Sequence, residues 1–362
     1  MRTIKVYAYP THQAKDRTSG VDYARVLLPM SKVNGYQDKD VKIEVTTMDI
    51  FKEPQDNWLD IAKEFDIVFL NYLVTDWPYA YMAAPVHGNG KKIILDIDDA
   101  LWNVRNDNVV YEQLRELKGG VILSAIVDDV DYVTTTSGYL RNVIVKNSYK
   151  HHEKIKVAGN MIDLDLYNHV TQAKDTGTIT LMHFGSTTHF RDLLIPAFVE
   201  GVDRIMKDYP NVIFKTVGAF IPELRYRWGQ RYVNTFGDRD IYVWVKEKFP
   251  AFMDEADIMV VPLEDDIYNR CKSDIKWIEA SSAAKPGVWS DTRPYTETID
   301  GTNGFLAKTA DDWYENIKKL IDSKELRQKI GMNAYNQVVA ERQMKNNIEP
   351  YVNLFKEALD IR

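Results

Sequence analysis

Residues 178–217 read TITLMHFGSTTHFRDLLIPAFVEGVDRIMKDYPNVIFKTV. The run Thr178–Phe184 is short, rich in aliphatic and β-branched residues, and predicts a strand. A loop of glycine and hydroxyl residues follows, and then apolar residues return at three- and four-residue spacing, which predicts a helix over Leu193–Tyr209. Val212–Val217 is again strand-like. Strand, crossover helix and strand in that order are the unit from which parallel sheets are built.

The same alternation continues in both directions. Downstream, the pattern predicts a helix over 242–255, a strand over Ile258–Pro262, a helix over 273–284, short strands over Val288–Ser290 and Gly304–Ala307, and two amphipathic helices over 310–322 and 324–340. Upstream lies a polar stretch, 163–177, with few aliphatic residues, which reads as a linker. Before it, six strand-like runs (4–9, 41–47, 66–71, 92–96, 131–135 and 154–158) alternate with helical patterns over 21–33, 57–64, 109–128 and 137–147. The expected fold class is therefore α/β, with two Rossmann-like lobes whose parallel sheets face one another across a cleft. A last helix over about 347–361 has no strand after it and is free to return to the first lobe.

Composition agrees with this division. The 362 residues are 45% hydrophobic and 27% charged, enough to fill a core in each of two lobes. A net charge of −7 is not the footprint of a protein that lives on nucleic acid, although a local basic patch remains compatible with it. The only cysteine, Cys271, excludes an internal disulfide and a cysteine-based zinc site, and it favours a reducing compartment. No apolar h-region opens the chain and no run of about 18 apolar residues occurs, so the expectation is a cytoplasmic protein without a transmembrane segment.

In open parallel sheets ligands lie beyond the carboxyl ends of the strands, so the loops there are the candidate sites. In the first, Gly185 permits close backbone approach, Ser186 and its neighbours offer hydroxyls, and Arg191 supplies a fixed positive charge near a helix start. That suits a phosphate, or equally an ordinary N-cap beside a solvated arginine. In the second, Arg270, Lys272 and Lys276 cluster with Ser273, Asp274 and Ile275 where a helix begins, an arrangement suited to a diphosphate. Glu279, two turns on from Lys272, lies on roughly the same face and is able to accept hydrogen bonds from ribose hydroxyls. The plain alternative is a solvated helix with paired charges.

Three further groups need weighing. Asp96, Asp98 and Asp99 end a strand of the first lobe, where acids can hold a hard cation. With no second metal cluster in the sequence, a role on the acceptor side or between the lobes ranks above a metal site. His12, after the first strand, and His189 are candidates for acid/base chemistry or hydroxyl binding, or structural residues. Residues 225–232 interleave three arginines with aromatics and read as a loop. Together with Lys146, Lys150, His151, His152, Lys154 and Lys156 they leave room for a polyanionic acceptor, against which the net charge argues.

The order of Gly185-Ser186-x-x-His189-x-x-Asp192-Leu193, a strand ending Val261-Pro262-Leu263, Asn269-x-x-Lys272-Ser273-x-x-Lys276-x-x-Glu279, Ser290-Asp291-x-x-Pro294-Tyr295 and Asp300-Gly301-x-x-Gly304-Phe305-Leu306 resembles the group 1, family 4-like glycosyltransferases of the GT-B fold. The resemblance is dense over 178–341. It is thinner in the first lobe, where Ser19-Gly20-Val21, Asp96–Asp99 and Lys156–Asn160 carry it.

The resemblance implies transfer of a sugar from a nucleotide diphosphate sugar, such as a UDP-sugar, to a hydroxyl acceptor, with retention of configuration and no required metal or other cofactor. The acceptor is a saccharide or glycoconjugate, or else a hydroxylated base in nucleic acid. It implies an acceptor lobe over 1–165, a donor lobe over 166–341 and a returning helix over 342–362. Lys272 and Arg191 would face the diphosphate, the amides of Ser273–Ile275 would support it, and Gly185, Ser186, Arg270, Asp274 and Lys276 would complete the donor site around Glu279. Asp99 joins Lys272 and Arg191 as a catalytic candidate, and His12, Gly20, Asp96, Asp98 and Asp99 are the acceptor-side candidates. One departure stands out. The family's Glu-x7-Glu pattern lacks its first glutamate here, because Cys271 occupies that position. Alternatives left by the sequence are a nucleotide-sugar epimerase of related two-lobe fold and a two-lobe ligand-binding protein without catalysis.

Overall fold

The computed structural model describes residues 1–12, 17–48, 57–73, 76–170, 177–185, 190–218 and 220–361. Strands β1 (Arg2–Tyr9), β2 (Val41–Thr47), β3 (Ile67–Asn71), β4 (Lys92–Ile97), β5 (Tyr132–Thr135) and β6 (Ile155–Val157) form one sheet in the order β2-β1-β3-β4-β5-β6. Strands β7 (Ile179–Gly185), β8 (Val212–Gly218), β9 (Tyr232–Thr235), β10 (Ile258–Val261), β11 (Gly287–Ser290) and β12 (Phe305–Ala307) form the second, in the order β12-β11-β10-β7-β8-β9. Every pairing between these strands is parallel. Strands β3, β5, β10 and β11 are buried along their whole length. That is why they read as continuous apolar runs rather than alternating ones. Strand order reverses next to β1 in the first sheet and between β7 and β10 in the second, and these switch points open toward the cleft.

Several elements differ from the sequence expectation. The second lobe has a sixth strand, β9, and residues 225–232 are not a loop: helix Pro222–Trp228 and a short 3₁₀ turn cover them. The helix expected over 109–128 is two, Tyr111–Glu116 and Gly119–Asp129, separated at Lys118, whose φ of 51° is left-handed. A helix over Asp76–Gly88 went unforeseen because it carries Pro85 and no amphipathic stripe. The polar stretch 163–177 begins with a turn of helix, Leu164–Tyr167, and its residues 171–176 lie outside the described set.

The helices expected over 21–33 and 242–255 each contain a wide π turn, Tyr23–Leu27 and Trp244–Lys248. In both, a proline follows closely, Pro29 and Pro250. A proline inside a helix removes one hydrogen bond and crowds the carbonyl four residues back, and a widened turn relieves that crowding. The two π turns belong to helices that meet across the cleft. The Ile241 amide donates to the Thr18 carbonyl at 3.0 Å, the Thr18 amide to Asp240 at 2.7 Å, and the rings of Tyr23 and Tyr242 lie edge to face at 5.6 Å.

One core runs continuously through both lobes, joining Ile4, Val6 and Phe69 to Met182, Trp277 and Trp289. The last helix, Glu349–Ala358, contributes Tyr351, Leu354 and Phe355 to it, and both rings pack on Phe69 of β3. Fully burying such side chains stabilises by about 1.5–3 kcal/mol each. Lys356 pairs with Asp38 and Lys156 with Glu357, at 2.5 and 2.9 Å, so this helix is fastened to the first lobe at its rim as well. The chain crosses between the lobes near Ile162 and again near Gln343. The crossings lie side by side, with the Ile162 amide on the Arg342 carbonyl at 2.8 Å and the Met344 amide on the Ile162 carbonyl at 3.0 Å.

Candidate active site

The carboxyl ends of both sheets border two neighbouring cavities. The larger, about 640 Å³, is lined by His12, Ser19 and Gly20 of the first lobe and by Phe184, Gly185, Gly218, Phe236 and Trp244 of the second. The smaller, about 290 Å³, is lined by Tyr23, Arg25, Asp98, Asn160, Tyr167, Ile275 and Glu279. Gly20 and Ile241 border both. A methyl group on Gly20 would touch only Ile241, at an ordinary 3.9 Å, so packing does not demand a glycine there. Gly218 is different. Its φ is 111°, and a Cβ would come within 2.0 Å of the carbonyl oxygen of Gly185, its register partner. These two strands therefore end in bare backbone at the cavity wall.

Helix Ile275–Ser282 points its N-terminus into this region. Asp274 holds the cap position without capping, because its carboxylate accepts from Thr298 at 2.7 Å and Arg342 at 2.8 Å. The helix start is left without a side-chain anion, which suits an anionic ligand. Two cations stand beside it. The ammonium of Lys272 lies 5.0 Å from the ring centre of Tyr268, and burial together with the repulsion of Lys272 pushes Lys276 down to about 8, against the attraction of Glu279, Asp192 and Asp99. Glu279 is pushed up to about 7 by burial, although Lys276 and the hydroxyl of Tyr167, donating at 3.1 Å, pull the other way. Such displaced titrations concentrate where a site is built for charge it does not yet hold.

The acids of the first lobe have separate fates. Asp96 is buried and fully engaged: Arg25 donates to it at 2.9 and 2.8 Å, and Thr134 at 2.5 Å. Asp98 faces the smaller cavity, and its Oδ1 is sealed without a hydrogen-bond partner among the described residues. Burial and the neighbouring charges of Asp99 and Asp96 push its carboxyl up to about 7. Asp99 accepts from the Tyr268 hydroxyl of the other lobe at 3.2 Å. The His12 ring lies tilted against that of Tyr72 with ring centres 4.6 Å apart, and its amide donates to Asp22 at 3.1 Å. No group of three or more His, Cys, Asp or Glu side chains arranged to hold a metal occurs among the described residues.

Other candidates are not gathered here. Arg191 sits 3.5 Å from Asp107 of the first lobe, beside Arg105, which also reaches Glu264 at 3.2 Å and Asp266 at 3.3 Å. Arg270 is spent on Asp265 at 2.6 and 2.7 Å; like Lys272, Ser273 and Lys276, it is not among the residues lining either cavity. Cys271 is buried with Tyr268 in the first lobe's outer core, its thiol pushed up to about 12 by burial, so it is no substitute for a carboxylate. Ser186 and His189 lie outside the described residues. Most of the basic residues are engaged internally: Lys150 on the carbonyls of Asp128 and Val130, Lys154 on Tyr132, Lys156 on Glu357, Arg227 on Asp203 and Arg225 on the carbonyls of Gly229 and Tyr232. Sequence reasoning missed Tyr23, Arg25, Tyr167, Phe236 and Trp244. Phe236 was findable, since it directly follows β9, had that strand been read.

Residues 179–323 match the model of the family described as Glycosyl transferases group 1. No curated protein matches the sequence significantly. Among solved structures, HepE of Anabaena in complex with UDP-glucose is 14% identical with a TM-score of 0.64, over 99% of this chain and 98% of that one. Sucrose-phosphate synthase from Thermosynechococcus elongatus is 13% identical with a TM-score of 0.65, over 100% of both chains. A glycosyltransferase from Rickettsia africae is 13% identical with a TM-score of 0.63, over 99% and 100%. At these identities the agreement is one of fold, and the fold is GT-B. No helix among the described residues is long and apolar enough to cross a membrane.

Proposed function

We propose, from a GT-B frame whose residues 179–323 match the group 1 glycosyltransferase model, that the protein transfers a sugar from a nucleotide diphosphate sugar, of which UDP-glucose is the type, to a hydroxyl acceptor. The observation that carries this reading is the helix start at Ile275: an uncapped N-terminus beside Lys272 and Lys276, with Ile275 and, one turn further along, Glu279 lining the smaller cavity. In this reading residues 166–341 hold the donor, residues 1–165 hold the acceptor, and the tail 342–362 belongs with the acceptor lobe.

The chemistry follows from charge. Cleaving the bond from the anomeric carbon to the phosphate oxygen builds an oxocarbenium-like sugar and a more negative diphosphate. Cations and helix amides already aimed at that diphosphate lower the barrier. Lys272 and Lys276 fill the role from the helix start, and Arg191 joins them once it leaves Asp107. Glu279 accepts from the donor ribose. The acceptor attacks from the face the diphosphate leaves, so a leaving-group oxygen takes the acceptor proton and configuration is retained without a dedicated base or a metal. Asp98 and His12 orient acceptor hydroxyls. Engagement of the surface cations supports a saccharide or glycoconjugate acceptor over nucleic acid, and the single buried cysteine supports a cytoplasmic setting.

Incubation with a panel of nucleotide sugars, reading nucleoside diphosphate release with and without saccharide acceptors, tests this. Release that rises with an acceptor supports transfer. Conversion of the donor sugar without any acceptor would favour an epimerase, and binding without turnover would leave only a ligand-binding protein.

A further inference from the structure

A buried hydrogen-bond chain runs from the first lobe's sheet to the start of the donor helix. Asp96 of β4 holds Arg25 by two contacts. The remaining arm of that guanidinium donates to Asn160 Oδ1 at 2.7 Å, and Asn160 Nδ2 donates to Ser273 Oγ at 2.6 Å. Arg25 and Asp96 are each 1% exposed and Asn160 6%.

The direction of every bond in the chain is fixed. A guanidinium only donates, so the oxygen of the Asn160 amide must face Arg25, and its NH₂ must then face Ser273. Ser273 Oγ is therefore an acceptor on that side. Its own proton points elsewhere, and among the described residues it has no acceptor. Ser273 directly precedes Asp274 at the open N-terminus of helix Ile275–Ser282.

We infer that Asn160 is a positioning residue for the donor: held by Arg25, it fixes the Ser273 hydroxyl so that its proton is presented to the donor diphosphate. This rests on the proposed function. A hydroxyl already aimed loses no rotational freedom on binding, and its bond to a charged phosphate oxygen is of the strong kind. The first lobe thereby contributes to phosphate binding without touching the nucleotide.

The test is a double-mutant cycle read by calorimetric titration with UDP, and with uridine as the probe lacking phosphate. Asn160→Asp keeps the shape and the contact to Arg25 but turns its second oxygen into an acceptor, so that the Ser273 proton is drawn away from the ligand. Asn160→Asp and Ser273→Ala are each expected to weaken UDP roughly tenfold, to leave uridine unchanged, and not to add. Ser273→Thr, which keeps the hydroxyl, is expected to restore most of the UDP affinity. Equal fold-losses from Asn160→Asp with and without Ser273 would overturn the inference, as would parallel loss of UDP and uridine. Should Asn160→Asp not fold, unchanged UDP affinity in Ser273→Ala overturns it alone. Failure of the wild-type protein to bind any nucleoside diphosphate would instead strike the functional reading on which it rests.

Discussion

The hydroxyl of Tyr167 donates to Oε1 of Glu279 at 3.1 Å, and both side chains line the smaller cavity. Tyr167 stands on the single helical turn that follows the first crossing between the lobes, while Glu279 stands on the donor helix. The carboxylate proposed to take the ribose is thus already steadied, and its charge is balanced near neutrality.

Glu279→Gln keeps the shape and removes the charged acceptor. The expected result is weaker nucleoside diphosphate binding by about 1–3 kcal/mol with a smaller change in kcat, measured by calorimetry and steady-state kinetics. The pH edge has a definite sign. With Glu279 raised to about 7, protonation removes the acceptor as pH falls through that value, so affinity drops on the acid side. Tyr167→Phe removes a bond that favours the charged form and moves the edge upward.

Lys276 sets the opposite edge. Its ammonium titrates at about 8 in the unliganded protein, and a bound diphosphate would hold it protonated. Above that pH binding must take up a proton, so affinity should fall by roughly tenfold per further pH unit. Titrations in buffers of different ionisation enthalpy read the uptake directly, and Lys276→Met should abolish it.

Lys272→Ala should lower kcat by about 10²–10³-fold, more than it weakens UDP binding, because the charge it offsets grows during bond cleavage. Near-normal turnover in a folded Lys272→Ala protein would hand the role to Lys276 or Arg191.

Asp98 carries a stability prediction. Its folded-state value of about 7 lies above the ordinary carboxyl value, so its contribution is fully present in acid and is lost as pH rises toward neutrality. Above pH 7 the charged, half-sealed carboxylate is a cost. Asp98→Asn should therefore raise stability to urea at pH 8 by about 1–3 kcal/mol and change it little only in acid below the ordinary carboxyl value, with an intermediate effect between.

Removing one partner of the buried Arg25–Asp96 pair should cost about 3–5 kcal/mol, as Arg25→Met leaves an uncompensated carboxylate. The double variant Arg25→Met with Asp96→Leu should be milder than either single change, by urea unfolding.

Much of the frame was readable because strands sealed on both faces leave unbroken apolar runs, as Ile67–Asn71 and Ile258–Val261 do. Strand β9 hid because it is four residues long and follows an arginine-rich helix. The π turns hid because a widened turn leaves the apolar spacing almost unchanged. At the candidate site, Lys276 and Glu279 share helix Ile275–Ser282 as their spacing suggests, whereas Lys272 precedes that helix rather than lying two turns along it from Glu279. Arg270 was misread because Asp265, five positions earlier, takes it out of the cleft. Arg25, Asn160 and Ser273 meet across 135 and 113 positions of sequence, and no local pattern encodes such a meeting.

The two strands of chain that cross between the lobes are stitched together at Ile162 and Gln343, and this makes them the spine of a book rather than two separate tethers. A doubled crossing constrains sliding and twisting of the lobes more than rotation about its own line. Contacts near the line travel little in that motion, and Asn160, two residues from Ile162, is among them. Arg105 with Glu264 at 3.2 Å and Arg191 with Asp107 at 3.5 Å also join the lobes, so any rotation that opens the cleft has to part them.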